Sequence, residues 1–472
     1  MLFNSFEFIV FFACVTALYF ALPHGLRWLL LLVASCGFYM AFVPVYILIL
    51  AATIVIDFVA GLRIEDATSS AQKKRWLLAS ILSVCGILFV FKYFNFFHAN
   101  VVALAELLGW HYSLPALELI LPIGLSFHTF QSLSYVVEVY RGRQKAERHF
   151  GIYALYVMYF PQLVAGPIER PQNLLHQFHE RKYFDWTRVC DGLGLALWGL
   201  CKKVVVADCL SLYVDAAYNN HLKHNGGTLL LATYAFAFQI YCDFSGYSDI
   251  ARGVSRVYGI ELMRNFETPY RSTSVTEFWS RWHISLSTWF RDYLYIPLGG
   301  NRVSLTRNYV NLFTVFLVSG FWHGANWTFI IWGALHGTYV VLERLRASWR
   351  LHRGKPVRIH TPLQRFFQHA LTFHLVTLAW VFFRADHVST AMEILRRIAT
   401  QPGVPFLTPF LAQAFLALFI LLLVERLDRN RDWLDSVARL HWPQRWSFGL
   451  AMLSLIALFG VERGAQFIYF QF

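Results

Sequence analysis

The feature that most constrains this chain is the recurrence of apolar runs approaching twenty residues. A bilayer core about 30 Å thick is crossed by roughly 20 apolar residues in a helix. Candidate segments fall at 6–22, 28–41, 44–61, 77–94, 119–140, 151–165, 191–207, 228–245, 309–321, 326–342, 366–383, 406–424 and 447–461. Composition agrees: of 472 residues, 57% are hydrophobic and 15% charged, against roughly 45–50% and 25% in soluble domains. The chain therefore reads as an all-α multi-pass membrane protein. No internal repeat, low-complexity linker or soluble domain interrupts it, so residues 1–472 are taken as one domain. The aromatic content of 18% supplies interfacial anchors.

The net charge of +13 does not indicate nucleic acid, because the basic residues sit in short loops between apolar runs. Residues 61–75 hold Arg63, Lys73, Lys74 and Arg75, and 141–148 read RGRQKAER, whereas no Lys or Arg occurs between Lys92 and Arg141. The first two loops are thus expected on the cytoplasmic side and 95–118 outside. Residues 169–188 are basic again after one short apolar segment, so 151–165 is expected to dip in and return. The region 246–307, rich in arginine, is expected to be cytoplasmic. The start, MLFNSFEFIVFFACV, lacks the positive charge of a secretory signal and reads as a retained first span beginning outside. Continuing the count puts the C-terminus outside too. Seven cysteines without a CxxC pair indicate neither a disulfide framework nor a zinc site.

Two stretches carry chemistry. The first is TSVTEFWSRWHISLSTWFRDYLYIPLGGN, residues 273–301. Ser274 and Glu277 are spaced as a capping box, and Pro297 with Gly299-Gly300 closes the region. Trp282, Leu286, Trp289 and Tyr293 recur at helical spacing, which predicts an amphipathic interfacial helix with His283 at its middle. The second is LVSGFWHGANW, 317–327, where Gly320 and Gly324 bracket His323 between short apolar runs. An ionisable residue at membrane depth is a functional-site hypothesis, and interrupted helices there face protein or a watered cavity. A neutral imidazole can take a proton from a hydroxyl attacking a thioester. Each of the two histidines could instead be hydrogen-bonded between helices. His336, in WGALHG, is read as structural.

WSRWHISLSTWFRDYLYIPLGGN followed by FWHGANW resembles the signature of the membrane-bound O-acyltransferase (MBOAT) family. The similarity is greatest to the bacterial branch that modifies alginate, peptidoglycan and teichoic acid. LVAGPIERP (163–171), QIYCDFSGYSDIARG (239–253), NFETPYRS (265–272) and FIYFQF (467–472) fit it as well, most densely over about 160–345. The resemblance implies a ring of about eleven membrane helices around a thin centre with a through-tunnel, plus re-entrant and cytoplasmic amphipathic helices. It implies catalytic roles for His323 and His283, and acetyl-CoA as a donor substrate with no bound cofactor or metal. Arg281, Arg291, Trp282, Asp243 and Asp249 would serve the donor, with Arg264 and Arg271 as further phosphate contacts, although each of the four arginines could instead be ordinary positive-inside charge. The two aspartates would order the donor entrance through Arg252 or Arg281, or could instead form a structural ion pair. Tyr469 could carry the acetyl as a phenyl ester, or FIYFQF could be an interfacial anchor. The expected setting is the bacterial inner membrane, among its lipids, with both termini periplasmic. A periplasmic SGNH-type acetyltransferase would complete transfer to a polysaccharide such as alginate-like exopolysaccharide, cellulose or peptidoglycan. A transporter or flippase for a lipid-linked glycan is the competing reading; it predicts inverted repeats, and none is evident.

Overall fold

A computed structural model describes residues 1–472 except 111, 113–114, 355–360, 429–439, 462–466 and 469–472. Among the described residues every regular element is helical. They gather into two compact units, one of Met1–Leu193 with Ala251–Met263 and one of Gly194–Ile250 with Arg264–Phe472.

The first unit holds the most apolar helices. Pro44–Asp66 and Ser70–Leu107 are long and apolar enough to cross a membrane, and Phe6–Ala21 and His24–Met40 are shorter apolar helices. Leu22 is extended and Pro23 follows it, which separates the last two. Leu48 and Leu82 lie on the outside of the unit, 66% and 71% exposed, as lipid-facing residues should. The Leu125–Tyr140 helix is instead buried along almost its whole length although it carries Ser126, His128, Gln131 and Glu138. It packs tightly on Pro44–Asp66: a Cβ on Gly61 would meet Tyr135 at 2.7 Å. Arg148 pairs with Glu65 at 2.7 Å and Asp66 at 2.8 Å, so the two basic loops lie on the same side of this unit. The expected re-entrant segment begins as the nine-residue helix Phe150–Met158. At 1.5 Å per residue it spans about 14 Å, roughly half a bilayer core, and then turns through buried residues 159–166.

The second unit is built on an antiparallel hairpin of Leu305–His323 and Trp327–His352. Glycine lets the two backbones meet. A Cβ on Gly320 would lie 2.3 Å from the Phe329 carbonyl oxygen, and one on Gly333 would lie 2.4 Å from that of Phe316. Small residues in such positions are the means by which helices pack closely in lipid. Gly324 ends the first helix, and Asn326 caps the second by accepting from the Thr328 amide at 3.1 Å. Pro362–Arg384, apolar and long enough to span, lies against Trp327–His352 and is started by a Thr361–Gln364 capping box.

One expected element takes another form. Residues 273–301 are not one helix: Val275–Arg281 and Ile284–Phe290 are separate, followed by a π-turn at Arg291–Tyr295. The break falls at Trp282-His283, where His283 adopts φ 44°. Nor does the aromatic face lie at an interface. Trp282 and Leu286 are buried, with Trp289 at the limit of burial, and the two tryptophans pack against other aromatic rings of this unit. The Ser274 cap holds, its hydroxyl accepting from the Glu277 amide at 3.0 Å. Glu277 bonds to Thr273 instead of closing the box on Ser274.

Candidate active site

His323 is the last residue of the Leu305–His323 helix. The residue is 5% exposed, and its ring meets Trp322, Trp332 and Phe383 at centroid distances of 4.9, 5.0 and 5.4 Å. The hairpin turn puts it there: Gly324 cannot carry a side chain, since a Cβ would lie 2.2 Å from the Phe329 ring. The imidazole therefore sits in an apolar aromatic cup, where charge is poorly solvated and proton transfer to a bound partner is favoured over exchange with bulk water.

His283 is fully buried and held by Asn265. The Asn265 carboxamide oxygen receives the Ser285 amide at 3.1 Å, the Ser285 hydroxyl at 3.0 Å and His283 Nδ1 at 3.2 Å. An oxygen in that position is an acceptor, so Nδ1 carries the proton and Nε2 is the basic nitrogen. Phe244 meets the ring edge-on at 4.6 Å. Segment 265–268 is zipped to 281–284 by Ile284 N to Asn265 O and Glu267 N to Arg281 O, both 2.9 Å. Thr268 and His283, the two non-glycine residues with positive φ among those described, sit in these facing segments. Backbone in that region is strained for a side-chain-bearing residue and tends to mark functional sites.

A layer of rings runs between the two histidines. Trp332 packs on His323, Trp380 on Trp332 at 5.7 Å, and Trp282, next to His283, on Trp380 at 5.2 Å. His336 joins the same layer, 5.0 Å from both Trp332 and Trp279, and accepts a hydrogen bond from the Trp279 indole at 3.2 Å. Trp332 and His336 stand four residues apart in IIWGALHG, one turn of a helix.

Behind this layer opens a cavity of about 530 Å³ lined by Phe238, Tyr241, Tyr270, Arg271, Phe373, Leu422, Glu425 and Arg426. Tyr270 forms its link to the ring layer, accepting from the Trp380 indole at 3.2 Å. Tyr241 donates to the Glu425 carboxylate at 2.5 Å. Of the arginines considered as phosphate contacts, Arg271 lines this space, joined by Arg426, which sequence reasoning did not single out. Arg281 pairs with Glu277 at 2.9 Å and Arg291 with Asp292 at 2.8 Å.

The two aspartates stand in ion pairs, with lysines as partners. Asp249 pairs with Lys202 at 2.6 Å; Asp243 pairs with Lys203 at 2.7 Å, and Lys203 also meets Asp208 at 2.7 Å. Asp243 has a second bond, accepting the Ile468 amide at 2.8 Å. Phe467 is buried against Phe244 and Tyr247, at 5.7 and 4.7 Å. The described part of FIYFQF is therefore docked one ring away from His283. Tyr469 itself lies outside the described residues.

The MBOAT family model matches residues 146–368. The chain is 41% identical over 400 residues to the probable alginate O-acetylase AlgI of Pseudomonas aeruginosa, covering 84% of this chain and 74% of that protein. The chain belongs to the membrane-bound O-acyltransferase (MBOAT) family. It is also 35% identical over 403 residues to the peptidoglycan O-acetyltransferase of Helicobacter pylori, covering 80% of this chain and 74% of that one. A more distant relative is the teichoic acid D-alanyltransferase of Bacillus subtilis, at 26% over 287 residues, covering 57% and 70%. This MBOAT chain is thus a multi-pass, all-helical membrane acyltransferase, and the transporter reading gives way to it.

Proposed function

We propose that this MBOAT protein takes acetyl from acetyl-CoA at the cytoplasmic face of a bacterial inner membrane and delivers it to a hydroxyl on the opposite side. The observation that carries the reading is His323 in its aromatic cup, within a chain 41% identical to a probable alginate O-acetylase. In this scheme the donor docks at the 530 Å³ cavity, with its phosphates toward Arg271 and Arg426. Its thioester arm passes the Tyr270–Trp380 layer. His323 removes the proton of the acceptor hydroxyl, whose oxygen attacks the acetyl carbon. The thiolate leaves and is protonated, and it is a far better leaving group than an alkoxide, so general-base catalysis suffices. His283, basic at Nε2 and held by Asn265, orients the reacting groups on the other side of the ring layer.

The acceptor in this reading is Tyr469 of the C-terminal segment, whose neighbour Phe467 packs on Phe244 and whose neighbour Ile468 donates its amide to Asp243. A phenyl ester there would hand acetyl to a periplasmic SGNH-type transferase, and from it to a polysaccharide. The two O-acetylating relatives, named for alginate and for peptidoglycan, support an extracytoplasmic glycan as the final acceptor. In this reading both termini lie on the periplasmic side.

The test is thiol release from acetyl-CoA by the purified full chain in nanodiscs. Arg271→Ala with Arg426→Ala should raise KM for acetyl-CoA about tenfold or more with kcat little changed, because phosphate contacts act equally in ground and transition states. Peptide mass analysis should find an acetyl ester on Tyr469. A wild type that releases no coenzyme A with any hydroxyl acceptor would defeat the proposal.

A further inference from the structure

Two buried N–H donors beside His323 are not used by anything described so far. Among the described residues neither the Trp332 indole Nε1 nor the His336 Nε2 has a hydrogen-bond partner, and both residues are fully buried. Native interiors rarely leave such donors unmatched, and those that persist call for an explanation, a catalytic role among them. The proton on His336 can be assigned. Its Nδ1 accepts from the Trp279 indole at 3.2 Å, so Nδ1 has no hydrogen, and the neutral ring must carry its proton on Nε2. His336 Nε2 is therefore a donor, as is the indole nitrogen.

Both groups stand on one helical turn of Trp327–His352, at i and i+4. The Trp332 ring is 5.0 Å from His323 on one side and 5.0 Å from His336 on the other. The turn is rigid, because Gly333 and Gly337 press it against Phe316 and Phe313 of the facing helix. Donors fixed in place, dry, and adjacent to a general base are the ingredients of an oxyanion hole, which stabilises charge appearing only in the transition state.

We infer that Trp332 and His336 are catalytic residues whose N–H groups receive the oxyanion formed when a hydroxyl attacks a thioester at His323. The inference rests on the acyl-transfer reading above. The acceptor oxygen forms a bond to the carbonyl carbon as its proton passes to His323. The carbonyl π electrons move to oxygen, where the two N–H groups meet them. They return as the C–S bond breaks, and the thiolate takes the proton back from His323. Among the described residues the two donors have no partner; in the tetrahedral intermediate each has one.

The experiment uses the full chain in nanodiscs with acetyl-CoA. Trp332→Phe keeps a ring in the layer and removes only the donor, so kcat should fall about 10²–10³-fold while KM for acetyl-CoA stays within about twofold. His336→Leu should behave alike. His336→Gln, which can return an N–H near the same position, should recover at least about tenfold of that loss. A second readout uses two inert coenzyme A ketones in place of the thioester. A trifluoromethyl ketone, which forms a tetrahedral adduct, should bind Trp332→Phe more weakly by about the factor lost in kcat. The unfluorinated ketone should bind as in wild type. Turnover of Trp332→Phe within about threefold of wild type would overturn the assignment. So would equal weakening of both ketones, which marks a packing role. Failure of the acyl-transfer reading would show in the wild type itself, and failure of this one only in the variants.

Discussion

His283 shows how a single residue can be legible in type and illegible in setting. A histidine within TEFWSRWHISLS invites a functional reading, but its placement depends on Asn265, eighteen residues earlier. That carboxamide oxygen gathers three donors, and the left-handed turn follows from it. No local pattern encodes such a contact, so a continuous helix was the natural expectation. Asn265→Ala should cost about 1–3 kcal/mol, the usual penalty for leaving buried polar groups unmatched. The loss is measurable as a lowered unfolding midpoint in detergent, and turnover should fall with it. Asn265→Asp retains an acceptor and should be milder. His336 is the reverse case. It looked structural because nothing in WGALHG signals the Trp279 indole that sets its tautomer.

At the scale of elements, the Leu305–His323 and Trp327–His352 hairpin was readable from GFWHGANW, since glycines bracketing a histidine between apolar runs imply close helices and an interrupted span. The facing Gly333 was not, because only the packed pair reveals it. Gly320→Leu would force the backbones apart by more than a methyl group allows. Overpacking of that kind costs about 1–3 kcal/mol or more and should displace His323, so stability and turnover should fall together. The C-terminal segment offers a second element-scale test. Its seat on Asp243 was hidden, since the sequence suggested arginine partners and the structure supplies Lys203 with Asp208. Asp243→Ala leaves the Lys203–Asp208 pair intact but removes the acceptor for Ile468. A cysteine placed at Phe467, buried in the parent, should then react with maleimide several-fold faster by peptide mass spectrometry. Unchanged labelling would show that Asp243 does not hold the segment.

For the whole molecule, hydrophobic run length was a sound guide to class. Pro44–Asp66, Ser70–Leu107 and Pro362–Arg384 carry span-like length and apolarity among the described residues. The helices that build the site are more mixed: Leu305–His323 includes Arg307, Asn308 and Asn311, and Trp327–His352 ends in a charged stretch. Their polar residues serve packing within protein, as with the Asn308 amide donating to Gly300 O at 2.9 Å. Chemistry has displaced hydrophobicity there, so a composition-based count blurs where the function lies. Loop charge fared better, since the Arg148 bridge to Glu65 and Asp66 puts two basic loops on one side of their unit. Cysteines introduced at Gln72 and Gln144 should therefore be labelled from the same face of sealed vesicles. Labelling from opposite faces would refute that arrangement.

Transfer across a sealed bilayer is what His323 is assigned to catalyse, and it can be measured. Full-length protein would be reconstituted into proteoliposomes, with labelled acetyl-CoA on one face only. Acetyl esters would be quantified on the C-terminal peptide and on a sugar acceptor at the other face. Wild type should form ester on the far side, and His323→Ala should lose about 10²–10⁴-fold of it, the usual worth of a general base. Far-side ester formed equally well without the His323 imidazole, or acetyl that never leaves the donor face, would contradict that assignment.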